Sequence, residues 1–275
     1  MLIELEKFKA WLENSEKSSA TVEKYMRDVT LFLDFSGKEV GKEIVRQFKD
    51  MLKEKYLPSS VNSMISSVNK YLEFIGREDC KVKALKIQKK VFIEDDKVLT
   101  KSEYMKLLET AQKNGNQRLY LLLQTVCSTG IRISELKYIT IEALKVGYAE
   151  IELKGKLRVI LIPKKISDKL LQYCKKKNIR SGCVFVTKSG KPLDRSNVWY
   201  DMKKLCVSAG VSEKKVFPHN LRHLFARTYY TAEKDIVKLA DILGHSNINT
   251  TRIYTADSRE FCRDQIEKLG LIKIK

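Results

Sequence analysis

The chain has 275 residues, room for one large or two modest domains with a sizeable core. Hydrophobic residues make up 43% and charged residues 32%, the balance of a soluble globular protein, and no apolar run approaches the roughly 20 residues of a membrane span. A net charge of +19 points to a polyanionic partner, because clustered Lys and Arg gain affinity by releasing counterions from phosphates; charge alone leaves nucleic acid and an anionic membrane surface both open.

In chain order, Met1 to Ala10 carries Glu4, Glu6, Lys7 and Lys9 in place of an apolar stretch, so no secretory signal is expected and the cytoplasm is the expected location. From Leu2 to Gly76 apolar residues recur at helical spacing: Leu5, Phe8 and Leu12; Tyr25, Val29, Phe32 and Leu33; Val45, Phe48, Met51 and Leu52; Val61, Met64, Ile65, Val68, Tyr71, Leu72 and Ile75. Four helices are predicted, broken at Asn14 to Ser19, at Gly37 and Gly41, at Pro58 to Ser60 and at Gly76. Lys81 to Lys97 clusters Lys81, Lys83, Lys86, Lys89 and Lys90 ahead of Glu94, Asp95 and Asp96, and reads as a basic linker lying along DNA or as an ordinary solvated connector. Thr100 and Glu103, three apart, form a capping box that opens a second domain. The charge follows this division: residues 1–97 hold 19 Lys+Arg and 17 Asp+Glu, a net of +2, leaving 34 and 17, a net of +17, for the rest.

In the second domain Leu119 to Val126 is an apolar helix ending near Thr129-Gly130, and another helix is expected to begin around Arg132. The period then changes. Tyr148 to Leu153, the turn Lys154-Gly155-Lys156, and Arg158 to Ile162 read as a β-hairpin closed by Pro163. Helices return at Ile166 to Lys177, Ser196 to Ala209, Asn220 to Ala232 and Asp235 to Leu243. The fold class expected is mainly α with a small β-hairpin (α+β). Six scattered cysteines without a CxxC pair suggest free thiols, with neither a zinc ribbon nor a disulfide framework.

Four local features carry chemistry: Thr129 to Leu136 with Arg132 and Glu135; Lys154 in the hairpin turn; His219-Asn220-Leu221-Arg222-His223; and Leu243-Gly244-His245 followed by Arg252-Ile253-Tyr254. Each alone is weak, since an isolated HxxR is commonly a surface pair and an isolated Tyr is commonly packed. In this order they resemble the tyrosine recombinase, or phage integrase, family, over essentially the whole chain. The resemblance implies a helical, SAM-like core-binding domain at 1–80, a basic linker at 81–97 and a catalytic domain at 98–275. It implies catalytic positions at Arg132, Lys154, His219, Arg222, His245 and Tyr254, with Glu135 as a supporting acid.

The implied activity is site-specific DNA recombination and integration, strands being cut and rejoined through a 3′-phosphotyrosine on Tyr254, as in a mobile element or phage. Because the phosphotyrosine keeps the energy of the broken phosphodiester, no cofactor and no metal are expected. Arg132 and Arg222 would meet the charge on the phosphorane. His219 would act as general base, Lys154 as general acid to the leaving 5′ oxygen, and His245 would add a hydrogen bond to the phosphate. Pro218 marks a helix start, placing His219 and Arg222 on one face of one turn. His223 is expected on a different face, in a buried hydrogen-bonding role.

Two features depart from the family. The hairpin turn is short, so Lys154 and Lys156 both stand as candidates for the acid, Lys154 preferred because it directly precedes the glycine, and Asn220 stands where many members have Asp. The partners implied are double-stranded DNA, further copies of the chain in a tetramer on two DNA sites, and accessory DNA-bending or directionality proteins, with no membrane. The tail, with Phe261, Ile266 and Leu269 at helical spacing and Leu271 to Lys275 alternating, would dock in cis or on a neighbouring protomer. The competing readings are a DNA-relaxing topoisomerase of the same chemistry, a DNA-binding regulator without catalysis and, least of all, a metal hydrolase on His219 and His223, which lack a third ligand at zinc-site spacing.

Overall fold

The computed structural model describes residues 2–37, 39–87, 97–153, 156–254, 263 and 266–269. The chain forms two compact units, dividing after Lys89. In the first, four helices occupy Leu2–Asn14 (α1), Ser19–Ser36 (α2), Lys42–Lys55 (α3) and Pro58–Phe74 (α4). Ser18 caps α2 through its side chain, Gly37 closes it in the left-handed conformation, and Pro58 sits at the first turn of α4, where its missing N–H costs nothing. The predicted apolar stripes converge on one core containing Phe8, Leu12, Val29, Phe32, Phe48, Ile65 and Leu72. Into that core the helices carry one carboxylate, Asp28, which accepts from Lys24 Nζ (2.6 Å) and Ser67 Oγ (2.8 Å).

The segment after α4 is not a free tether at its start. Asn69 and Asn62, seven residues apart and so on one face of α4 two turns from each other, each make a two-way amide bond with the main chain, Asn69 with Val82 (2.9 and 3.1 Å) and Asn62 with Leu85 (2.9 and 2.6 Å). Each side-chain amide thus offers the passing backbone the donor and acceptor that a neighbouring strand would supply. Residues 88–96 of the expected linker lie outside the described residues.

The second unit opens with the predicted capping box at Thr100 and Glu103, followed by α5 (Lys101–Lys113) and α6 (Gln117–Thr129). Gly130, left-handed at φ 63°, ends α6. Where a new helix is expected, Arg132 instead caps a short 3₁₀ helix, Ile133–Tyr138, its backbone N–H satisfied by the Glu135 side chain. After α7 (Ile141–Val146), β1 (Tyr148–Leu153) and β2 (Lys156–Leu161) form a two-stranded antiparallel hairpin whose register pairs Leu153 with Lys156 and Ile151 with Arg158. The connection is therefore the two residues 154 and 155, and the second strand starts at Lys156, two residues earlier than its composition indicates. Helices α8 (Lys164–Lys176), α9 (Arg195–Ala209), α10 (Pro218–Glu233), α11 (Ile236–Leu243) and α12 (Ile248–Thr251) follow, ending in a 3₁₀ turn, Arg252–Tyr254. Helix α6 is central, packed against α5, α8 and α10, and buries Leu119, Leu122, Leu123 and Val126. The fold is mainly helical with one small hairpin, as the periodicity predicts. Among the described residues no helix is long and apolar enough to cross a membrane.

Candidate active site

The site grows from the C-terminal end of α6. Helix α10 passes so close to Gly130 that a Cβ there would lie 2.4 Å from the Phe225 ring, and the left-handed φ independently favours glycine. Two residues on, Arg132 is held by Glu135: the Arg132 backbone N–H donates to Oε2 (2.8 Å) and Nη1 to Oε1 (2.8 Å). The Arg132 side chain keeps 42% of its surface open while that of Glu135 keeps 1%. Burial pushes the Glu135 carboxyl upward, but the Arg132 N–H, the Arg158 charge and hydrogen bonds from both guanidiniums outweigh it and hold the group below the ordinary carboxylate range.

Pro218 opens α10 and sets His219 and Arg222 one turn apart. Arg222 is 2% exposed: Nη1 donates to Gly130 O (2.5 Å), and Nη2 to Leu243 O (2.7 Å) and His245 Nε2 (2.9 Å). The two carbonyls belong to the C-terminal ends of α6 and α11, where helix dipoles are negative, so the buried cation completes both helix ends. Burial first, then the Arg132 charge, push the guanidinium down to about 10, opposed by a hydrogen bond with Tyr254; it stays charged at neutral pH.

A guanidinium has no lone pair with which to accept, so His245 Nε2 is the acceptor and Nδ1 carries the proton, donated to Thr251 Oγ1 (2.9 Å). The neutral ring agrees with its pKa, pushed down to about 4 by burial and by Arg222, Arg132 and Arg158. In this arrangement both ring nitrogens of His245 are engaged, Nε2 by Arg222 and Nδ1 by Thr251.

Tyr254 ends the cluster, 2% exposed. Its ring stacks on His245 (centroids 5.8 Å, 15°), meets His223 edge-on (4.5 Å, 72°) and lies 6.5 Å from His219. His223 differs from its expected placement. It is four residues from His219, hence on the same helix face, with ring centroids 4.7 Å apart, and its ring is nearer Tyr254 than either other histidine's. Burial, with His219 and Arg222 beside it, pushes its pKa down to about 4. The pKa of His219 is also lowered, by partial desolvation of its ring and by the Arg222, Arg132 and Arg195 charges, although much of the residue's surface stays open. Asn220 donates both amide protons, to Lys97 O (2.7 Å) and Lys215 O (2.8 Å); an aspartate there would set acceptor against acceptor.

Five of the six candidate catalytic residues, Arg132, His219, Arg222, His245 and Tyr254, therefore share one region of the second unit with Glu135. Lys154 lies outside the described residues, and of Lys156 only the backbone pairing is described. Sequence reasoning missed Arg158, buried against Glu135, and Thr251, which fixes the His245 tautomer.

A model of the phage integrase family matches residues 97–260 of the chain, more than half its length. The protein belongs to that family. It is a tyrosine recombinase, an enzyme that cuts and rejoins DNA. It is 30% identical to the tyrosine recombinase XerA of Thermococcus kodakarensis over 279 residues, covering 98% of this chain and 96% of that one. It is 31% identical to the XerA of Pyrococcus horikoshii over 278 residues, 98% and 94% of the two chains. Its fold is similar to that of a lambda integrase dimer bound to a COC′ core site, with a TM-score of 0.75 at 18% identity over 94% and 96% of the chains. Among the described residues no group of three or more His, Cys, Asp or Glu side chains is arranged to hold a metal ion.

Proposed function

We propose that this recombinase acts site-specifically on double-stranded DNA through a 3′-phosphotyrosyl intermediate on Tyr254. The observation that carries the reading is the convergence of Tyr254, three imidazoles and Arg222. A pure DNA binder needs exposed basic charge but gains nothing from a tyrosine set against a buried arginine. Tyr254 Oη attacks phosphorus, its proton passing to His219, whose lowered pKa leaves it neutral and able to accept. The bond to the 5′ oxygen breaks, a proton from Lys154, or Lys156, going to that oxygen. Rejoining runs the same steps in reverse with the 5′ hydroxyl of another strand, so one phosphoester bond forms for each broken. Arg132 offers an open guanidinium to the nonbridging oxygens, Arg222 a buried charge behind them. His245 can turn Nε2 to the phosphate as a donor only by releasing Arg222 and rearranging its protons.

Units 1–80 and 98–275 as core-binding and catalytic domains joined by a basic linker, a tetramer on two DNA sites, accessory DNA-bending or directionality proteins and a cytoplasmic setting complete the proposal. The similarity to an integrase dimer on its core site supports assembly on DNA. The tail at 270–275 lies outside the described residues, leaving docking in cis or in trans equal in standing.

The test is Tyr254→Phe on a nicked suicide substrate. Binding is expected to be unchanged and the SDS-resistant protein–DNA adduct absent; an adduct formed by the Phe variant overturns the assignment. A 5′-bridging phosphorothiolate, whose thiolate leaves without a proton, is expected to rescue Lys154→Ala and not Lys156→Ala. Rescue of Lys156→Ala alone would move the acid to Lys156.

A further inference from the structure

Arg158 is a charged side chain at a core-facing position of a strand. Directly opposite it in the register is buried Ile151, and its side chain is 9% exposed. An ion so placed carries a desolvation penalty that pairing and hydrogen bonds must offset, so its partners explain its presence. Its Nη1 donates to Glu135 Oε2, and its Nη2 to Ile242 O (3.1 Å). The chain beyond α11 is shaped around its stem: a Cβ on Gly244 would lie 2.5 Å from Arg158 Cδ.

These contacts reach the supports of both site arginines. Glu135 is what holds Arg132, and Ile242 precedes Leu243, whose carbonyl Arg222 takes. Without Arg158, the described bonds to Glu135 all come from Arg132, three residues away. A carboxylate and guanidinium tied only to each other can swing together as one local loop. Arg158 arrives from 23 residues further along the chain and anchors that loop to the hairpin and to the end of α11.

We propose that Arg158 is a positioning residue of this recombinase: acting through Glu135, it fixes the direction in which Arg132 presents its guanidinium to the scissile phosphate. The proposal rests on the reading that Arg132 faces that phosphate. Arg158 itself touches no DNA in this role, so its loss weakens the cleavage step and leaves binding intact.

The test uses the full chain as Arg158→Met, Arg158→Lys and Arg132→Ala, in single-turnover cleavage at saturating suicide DNA, scored as total cleaved strand. Each is compared on an ordinary phosphodiester and on a methylphosphonate, in which a methyl group replaces one nonbridging oxygen and removes the charge that Arg132 would meet. Arg158→Met is expected to lose about 100-fold on the phosphodiester, the scale of a misplaced catalytic group, and most of that loss is expected to vanish on the methylphosphonate. Arg158→Lys is expected to fall between, because one ammonium can pair with Glu135 but lacks the fork that also reaches Ile242. A wild-type rate for Arg158→Met, or an equal loss on both substrates, overturns the proposal, the second outcome meaning that Arg158 only maintains the fold. If Arg158→Met does not fold by circular dichroism, the same two criteria apply to Arg158→Lys. Arg132→Ala is the control on the underlying reading: a loss there that persists in full on the methylphosphonate defeats that reading, whereas relief there without relief in the Arg158 variants defeats this proposal alone.

Discussion

Among the described residues each unit buries one carboxylate among cations, Asp28 in the first and Glu135 in the second, and the two clusters differ in balance. In the first unit Asp28 meets Lys24, with Ser67 completing the shell and Arg27 only grazing it at 3.9 Å from a side chain 76% exposed. Charge is matched and partners are close in space, which describes a structural cluster. In the second unit Glu135 meets two arginines, and Arg222 adds a third cation whose partners, two carbonyls, a neutral imidazole and the Tyr254 side chain, include no carboxylate. The result is a local surplus of positive charge held in place by helix ends. The same contrast runs through the whole chain, where nearly all the net charge lies beyond residue 97.

The largest effects expected from this contrast are on cleavage. Arg132→Ala and Arg222→Ala are each expected to lower single-turnover cleavage by about 1,000-fold, the scale for removing a donor to developing charge. Their effects on folding should differ. Arg222→Ala strands two carbonyls and an imidazole in the interior and should lower the thermal midpoint clearly, whereas the half-open Arg132 contributes under about 1 kcal/mol. Equal midpoints in the two variants would break the distinction between a buried and a presented arginine.

Asp28→Asn comes next. It is expected to destabilise the protein by about 3 kcal/mol, since Lys24 is left without its counter-charge, and to leave the cleavage rate of saturated complexes unchanged. Urea unfolding alongside single-turnover kinetics checks both halves, and a slower cleavage step would show that the first unit's cluster is more than structural.

The last expected effect is on acid stability. All three histidines lie between 219 and 245, so the first unit has none. For His223 and His245 the folded pKa, about 4, lies below the ordinary 6.5, and between these values the unfolded chain binds protons that the folded one does not. Stability of the second unit should therefore fall as pH drops from about 6.5 to about 4, with Glu135, whose carboxyl is also lowered, adding a further loss below its ordinary value of 4.5. The two tryptophans, Trp11 and Trp199, fall one in each unit, so Trp11→Phe and Trp199→Phe leave fluorescence reporters of the second and first units respectively. A Trp11 transition that moved with pH through this window as far as that of Trp199 would contradict the account.

Features set within one or two turns of chain were legible from sequence. The four helices of the first unit, the capping box at Thr100, the glycine stop at Gly130, the hairpin and the Pro218 helix start each depend on neighbours in the chain. So does the pairing of His219 with Arg222, and the same spacing rule would have set His223 beside His219. Arg158 was within reach as well. Glu150 and Glu152 turn Ala149 and Ile151 inward, and a two-residue turn pairs Ile151 with Arg158; the turn is one residue shorter than Lys154-Gly155-Lys156, and the apolar Leu157, Val159 and Leu161, which are exposed, lie on the face opposite Arg158.

What sequence alone determined was the order and identity of the chemical groups and the local elements that carry them. Only the tertiary structure decided which of those groups hold one another: Arg222 on Gly130 across 92 residues, Arg158 on Ile242 across 84, Asn62 on Leu85 across 23, and the neutral tautomer of His245 that follows from its place between Arg222 and Thr251. Helical period and capping act over a few residues and leave their mark in composition, whereas a buried cation finds its carbonyls only when packing has brought distant helix ends to the same point.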